Sequence, residues 1–329
     1  MRTKQIKLAL AIAAASLCTL QPVRAETTLR LLSGWTPNNP NVPLIEAVYI
    51  KNVEAASNGE LKIKRSGPEV APAFEQLQPV SAGVFDFLFT TPGYHQAQTG
   101  VGNILDAVNG DLEKRHQSGL VQWADDFYNK RYGLRIIALH PAPGNHFVLR
   151  EPLGPDGTLK GLKVRSNATF DGIVRQLGGT PVNMSPADAY SAMQKGVLDG
   201  ITFPVFASSD YKLYEVGKYM TRPVFGLSNV MLMINVKKLE SLPPNLQRIL
   251  IDEGKKLEDI GTLALVRVAA MDEETMKANG VRIVQLGASV APKLNAMYNE
   301  GIFQTASRTT PDDVKTLWEL AKSKNMLNQ

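Results

Sequence analysis

Cysteine is nearly absent: Cys18 is the only one in 329 residues, and it lies in the N-terminal segment. Beyond that segment the chain has no disulfide, no thiolate metal site and no cysteine nucleophile to offer. Histidine is scarce as well. His95, His116, His140 and His146 are scattered without close metal-ligand spacing, and each reads as a surface or internally satisfied residue. The chain also lacks a Gly-x-Ser-x-Gly elbow, a His-Glu-x-x-His helix and a Walker loop. Gly100-Val101-Gly102-Asn103-Ile104-Leu105 has no third glycine for a dinucleotide fingerprint and reads as a loop. The acids form no paired constellation. The expectation is a protein without metal, cofactor or catalytic residues. An excess of one charge is missing too. The formal charge of +5 owes four positions to Arg2, Lys4, Lys7 and Arg24; without them Lys plus Arg is 32 against 31 acids. A nearly neutral body has no electrostatic footprint for nucleic acid.

What is present begins with an export pattern. Arg2, Lys4 and Lys7 precede an uncharged, mostly apolar run from Leu8 to Leu20, and Val23-Arg24-Ala25 follows with small residues where a signal peptidase reads. The run is too short to span a bilayer, and no other segment approaches 18 apolar residues. The reading is a signal peptide over 1–25, cleaved after Ala25, with Leu17 before Cys18 arguing against lipidation. The mature chain is expected to be exported, soluble and monomeric.

Helical and strand patterns then alternate, which predicts an α/β fold. Leu29 to Gly34 is a strand ending at Trp35. Pro43 to Ala56 is a helix with Asn58-Gly59 as its stop. Leu61 to Lys64 and Phe85 to Phe89 are strands, with a helix from Phe74 to Ala82 between them. The grammar restarts with a strand over Leu162 to Arg165 and a helix over Ala168 to Leu177. A second helix starts at Ser185-Pro186-Ala187-Asp188, with Ser as N-cap, and a strand follows over Ile201 to Phe203. Gly83-Val84-Phe85-Asp86 and Gly196-Val197-Leu198-Asp199 occupy matching places, by coincidence or by duplication of a helix–strand unit. Pro141-Ala142-Pro143-Gly144 suits a crossover between domains, and Asn229 to Asn235 a strand crossing back. Pro244 to Asn279 is one helix, longer than a single domain needs.

In open α/β sheets ligands bind beyond the carboxyl ends of the strands. Those ends are Trp35, Thr90-Thr91, Arg165 and Phe203: aromatic walls, hydroxyls and a guanidinium, a set that suits an organic anion with an apolar body. Arg165 offers a planar fork for a carboxylate next to a helix start; a structural ion pair is the alternative use of such an arginine. Trp35 alone serves equally as core.

Three runs carry a resemblance: Gly161-Leu162-Lys163-Val164-Arg165, Leu177-Gly178-Gly179-Thr180-Pro181-Val182, and Tyr190 through Gly200 followed by Pro204. This block resembles the periplasmic solute-binding proteins of tripartite ATP-independent periplasmic (TRAP) transporters, densely over 159–204 and more loosely over Gly59 to Thr91. The resemblance implies a two-domain periplasmic binding protein fold, with a ligand cleft between domains and a long bridging helix. It implies domain I over 26–142 plus about 231–270, and domain II over 143–230 plus about 271–329. It also implies delivery to TRAP membrane subunits, and it matches Arg165 to the arginine that holds the substrate carboxylate. Where sialic-acid-binding relatives have a second arginine, this chain has Asn145, next to His146, and the position before Pro204 is Phe203 rather than polar. With Phe170 in the helix after Arg165, these residues complete the candidate contacts. The expected ligand is a monocarboxylate with an apolar or aromatic body. A C4-dicarboxylate or sugar-acid receptor of the same family, and a periplasmic enzyme on a two-domain fold, are the alternatives.

Overall fold

The computed structural model describes residues 26–108 and 111–328. The signal segment read over 1–25 lies outside the described residues. Two sheets form two lobes. The first has strands β1 (Thr27–Ser33), β2 (Leu61–Ser66), β3 (Phe87–Thr90), β4 (Leu134–Ala142) and β10 (Ser228–Asn235), in the order β2-β1-β3-β10-β4. The second has β5 (Asn145–Leu149), β6 (Lys163–Ser166), β7 (Thr180–Asn183), β8 (Gly200–Pro204), β9 (Tyr219–Arg222) and β11 (Arg282–Gln285), in the order β11-β9-β5-β8-β6-β7. In each sheet three parallel strands are followed by one antiparallel strand that the chain reaches by crossing from the other lobe: β10 beside β3, and β5 beside β8.

This correspondence extends to the repeated sequence. Gly83 and Gly196 both take positive φ, of 78° and 72°, where glycine has no Cβ penalty. Asp86 donates its N–H to the Arg30 carbonyl at 2.8 Å and accepts the Arg30 N–H on its carboxylate at 2.7 Å. Asp199 does the same with Lys163, at 2.8 Å in both directions. The carbonyls of Asp86 and Asp199 then receive Asn235 N–H and Arg150 N–H, at the far ends of β10 and β5. Each aspartate thus clamps the start of one strand to its parallel neighbour. The two stretches are structurally equivalent.

Most helices follow their sequence signals, but the stretch read as a loop over Gly100 to Leu105 forms a helical turn at Val101–Ile104 followed by a 3-10 turn at Leu105–Ala107, and the helix expected over Phe74 to Ala82 is a 3-10 turn at Ala73–Glu75 and a short helix at Leu77–Ser81. Helix α1 (Ala47–Ala56) continues a π-helical turn over Val42–Glu46, and α2 (Leu120–Tyr132) is closed by Gly133. Helix α3 (Ala168–Gln176) starts at Asn167, whose side chain accepts the Thr169 N–H, and α4 (Pro186–Gln194) starts at Ser185, whose hydroxyl accepts the Asp188 N–H. Helix α5 (Pro244–Ala278) runs 35 residues and bridges the lobes. Its first half lies on β4: a Cβ at Gly254 would meet the Ile137 carbonyl at 2.3 Å, and one at Gly261 the His140 ring at 2.8 Å, so both glycines let the helix seat closely. Its last turns bind the second lobe, with Asp272 accepting Ser209 N–H at 2.7 Å and Glu273 paired with Arg222. Helix α6 (Leu294–Ala306) crosses α3 with Gly301 against Gly172, and α7 (Pro311–Ser323) packs on α2. No helix among the described residues is long and apolar enough to cross a membrane.

Burial sets the pH response of this fold. It pushes His95, His140 and His146 down, to about 4, about 3 and about 3, and pushes Asp106 and Asp272 up, to about 7 and about 6. A depressed histidine contributes stability that is lost as pH falls below its unfolded value near 6.5. A raised acid contributes stability that is lost as pH rises from near 4 towards its folded value. Burial raises Glu46, Asp125 and Asp210 as well, so acids and histidines oppose each other in the net pH dependence of stability. The histidines are read separately: an NMR titration should find the His95, His140 and His146 rings neutral at about pH 5, where an imidazole with the ordinary value near 6.5 is protonated, and a midpoint at or above that value for any of the three contradicts the assignment.

Candidate functional site

The carboxyl ends of β1, β3, β6 and β8 meet between the lobes. Trp35, Asn39, Asn41, Thr91 and Tyr94 come from the first lobe, and Arg165, Asn167, Thr169, Phe170, Phe203 and Phe206 from the second; Ala142, Ser228, Asn229 and Val230 come from the two crossing strands. The cavity they line has a volume of about 40 Å³. That is room for roughly three waters at ~10–15 Å³ each.

Each wall has a local cause. Trp35 follows β1, its N–H 3.4 Å from Ser33 Oγ and its carbonyl held by the Arg65 guanidinium, which pairs in turn with buried Glu46 at 2.6 Å. Trp35 packs edge-on to Phe89 at 5.1 Å and tilted to Tyr94 at 6.1 Å. Pro92 ends β3 and starts a single 3-10 turn over Pro92–Tyr94; Gly34 lets the Tyr94 ring lie against the end of β1. Phe203 closes β8 and packs edge-on to Tyr211 at 5.2 Å.

Arg165 is the one cation of the lining. It is 2% exposed, donates Nε–H to the Met184 carbonyl at 2.9 Å and Nη1–H to the Thr202 carbonyl at 3.2 Å, and lies 5.9 Å from the Phe203 ring centre. It has no ion pair among the described residues, and Nη2 has no hydrogen-bond partner. Burial lowers its pKa, with the Tyr94 and Tyr211 hydroxyls opposing; burial likewise pushes Tyr94 up to about 12. A guanidinium so held is a desolvated charge with no neutralising partner among the described residues.

Asp106 is hydrogen-bonded to two residues of this lining, Thr169 and Asn229. Its Oδ1 accepts Asn229 N–H and Nδ2–H at 2.8 and 2.7 Å, and its Oδ2 accepts the Thr169 hydroxyl at 3.1 Å. Arg115 donates to Asn229 Oδ1 at 2.6 Å. One carboxylate therefore joins the first lobe, the crossing strand β10 and helix α3 of the second lobe.

Of the residues singled out from the sequence, Trp35, Thr91, Arg165, Phe170 and Phe203 are brought together on this lining. Thr90, Asn145 and His146 lie outside it. Thr90 sits opposite Met231 and, one residue before Thr91, faces the other side of the sheet. Asn145 holds the two crossing segments together, exchanging backbone hydrogen bonds with Phe225 at 2.8 and 3.0 Å and accepting Ser228 Oγ–H at 3.3 Å. His146 is buried between Ser208, at 2.8 Å, and Arg222, at 3.3 Å. Sequence reasoning passed over Asn39, Asn41, Tyr94, Asn167, Thr169, Phe206, Ser228 and Asn229. Asn167 alone had a signal, as the N-cap directly after the Arg165 strand. No group of three or more potential ligands for a metal ion occurs among the described residues.

Two α/β lobes joined by crossing strands, with a lone buried guanidinium in the cleft, define a two-lobe solute receptor. The chain belongs to the bacterial extracellular solute-binding proteins of family 7, the DctP family, whose profile matches residues 35–302, and thus to the periplasmic receptors of TRAP transporters rather than to enzymes. It is 22% identical over 240 residues to the 2,3-diketo-L-gulonate-binding periplasmic protein YiaO of Escherichia coli, covering 70% of this chain and 73% of that one. An uncharacterized protein of Haemophilus influenzae is 27% identical over 211 residues, which span 57% of its own length. The fold superposes on a Desulfovibrio salexigens TRAP solute-binding protein with bound orotic acid (TM-score 0.80, 19% identity, 90% of this chain and 98% of that one). It also superposes on a Bordetella pertussis receptor binding pyroglutamic acid (TM-score 0.79, 17% identity, 90% and 99%).

Proposed function

We propose that this receptor, exported with removal of residues 1–25, captures a compact monocarboxylate with an apolar or aromatic body and delivers it to TRAP membrane subunits. The carrying observation is Arg165: buried, without a counter-ion, and with Nη2 unpartnered in an aromatic cavity. A ligand carboxylate supplies the missing acceptor and the missing charge at once. Asn39, Asn41 and Asn167 offer amides for the remaining polar atoms, and Trp35, Phe170, Phe203 and Phe206 cover the body. No second cation lines the cavity, which disfavours a dicarboxylate. The Desulfovibrio and Bordetella receptors bind compact ring acids, orotic and pyroglutamic acid, and a cavity with room for about three waters would admit an acid of that kind only as the lobes part. Lobe movement about the crossing segments near 142–145 and 222–228 admits the acid and then closes over it.

A thermal-shift panel of pyroglutamate, orotate, aromatic acids, branched 2-oxo acids, succinate, malate, glucuronate and sialic acid tests this reading. Ligand at about 100 times its Kd adds about 2.7 kcal/mol. With roughly 0.6 kcal/mol/K of unfolding entropy for ~300 residues, a binding monocarboxylate should raise Tm by about 4 °C. A response confined to succinate and malate would show that the pocket has been misread, with the family unaffected.

A further inference from the structure

The long helix α5 seats one face on β4 and leaves the opposite face bare. From Gly261 to Met271 only Arg267 is charged, and a helix apolar all round is ordinarily covered. Here Leu263 is 71%, Met271 63%, Val266 58% and Ile260 36% exposed, on consecutive turns of one helix. Single exposed apolar residues need no explanation, but a contiguous stripe marks an interaction surface.

The arrangement of the stripe indicates its occupant. Leu263 lies at the crossing of two ridges. Four residues before and after it stand Asp259 and Arg267; three before and after stand Ile260 and Val266. Helices pack by laying such i±4 ridges into each other's grooves. In an antiparallel second copy, a residue before Leu263 meets the residue equally far after it. Leu263 then meets its own copy, Ile260 meets Val266, and Asp259 meets Arg267 on both sides. Asp259 and Arg267 are exposed and have no ion-pair partner within the chain among the described residues. An unrelated partner requires no such symmetry about one residue, whereas a two-fold contact does.

We propose that the Ile260–Met271 face of α5 is a self-association surface, through which two copies of this chain pack antiparallel about Leu263. Three turns of helix bury less than the roughly 1,200–2,000 Å² of a stable complex, so the dimer is weak and concentration-dependent. Asp252 and Glu274, which the same symmetry would oppose, lie far enough from the centre for helices crossing at about 50° to have parted.

Sedimentation velocity of the mature chain from about 1 to about 300 µM reads this directly: the wild type should shift from monomer towards dimer over that range. Leu263→Glu should remain monomeric throughout. Asp259→Arg and Arg267→Asp should each weaken association at least about tenfold by placing like charges opposite, and the combined exchange should restore it to within about threefold. Circular dichroism confirms that each variant is folded. A wild type that stays monomeric at about 300 µM overturns the proposal and leaves the face to a different partner. Dimerisation unchanged by Leu263→Glu overturns it as well, as does a double exchange no better than either single one.

Discussion

Arg165→Ala should reduce affinity for the bound acid by roughly a hundredfold or more. Truncating one partner of a desolvated, hydrogen-bonded charge pair costs about 2–5 kcal/mol, and about 1.4 kcal/mol is tenfold. The effect exceeds that of an exposed arginine because nothing else in the cavity carries positive charge and no protein carboxylate neutralises this one. Arg165→Lys should recover only part of the loss. An ammonium replaces the charge but cannot hold the Met184 and Thr202 carbonyls while keeping a fork for the ligand. Titration calorimetry of folded variants decides the matter, and an Arg165→Ala protein that binds as tightly as the wild type removes this residue from the site.

Gly93→Ala, a change of one methyl group outside the cavity lining, is the second large effect. Gly93 belongs to the first lobe and meets the start of α3 in the second. A Cβ there would lie 2.5 Å from Thr169 Oγ1 and 3.1 Å from Asn167 Oδ1. Neither side chain is free to retreat. Thr169 is tied to Asp106, and Asn167 caps α3 with its oxygen on Thr169 N–H. The methyl group therefore acts as a wedge between lobes, and overpacking of this kind costs about 1–3 kcal/mol. That energy falls on the closed form, so affinity should drop about 5- to 100-fold, mainly through faster dissociation. The melting temperature without ligand should move little. Small-angle scattering at saturating ligand should show a larger radius of gyration than for the wild type. Equal affinity and equal dissociation rate in Gly93→Ala would show that the lobes do not press together here.

Most elements of this protein were legible in its sequence because local chemistry sets them; the short helical turns over Val101–Ile104 and Leu105–Ala107, which lack a side-chain cap, were not. Ser185 caps α4 and Gly133 closes α2, while the matched Gly-to-Asp stretches start β3 and β8 through the same pair of aspartate hydrogen bonds. Arg165 was legible as the polar end of an apolar strand. Tyr94, Asn39 and Asn229 were not. Two sit in loops without periodicity, and the third lies on a strand whose apolar neighbours dominate its pattern. They share a cavity because strands as distant in sequence as β3 and β10, paired at Phe89 and Leu232, are brought side by side, and no spacing in the sequence encodes that. Asn145 shows the converse: its position at the crossover was legible, but its side chain is engaged with Phe225 and Ser228, which alignment to relatives does not reveal.

The insertion of β10 between β3 and β4 bears on how the chain is made. Until residue 235 has left the ribosome, β3 and β4 have no strand to join them, and each presents an open edge of the kind that invites mispairing. The second lobe waits longer still, since β11 closes its sheet at Arg282–Gln285 and the α6 glycine that meets α3 is Gly301. Neither lobe is a continuous stretch of chain, so neither can finish folding while the rest is being synthesised, and their non-local pairings slow folding further. The topology that builds the cleft therefore also postpones folding until nearly the whole chain is available.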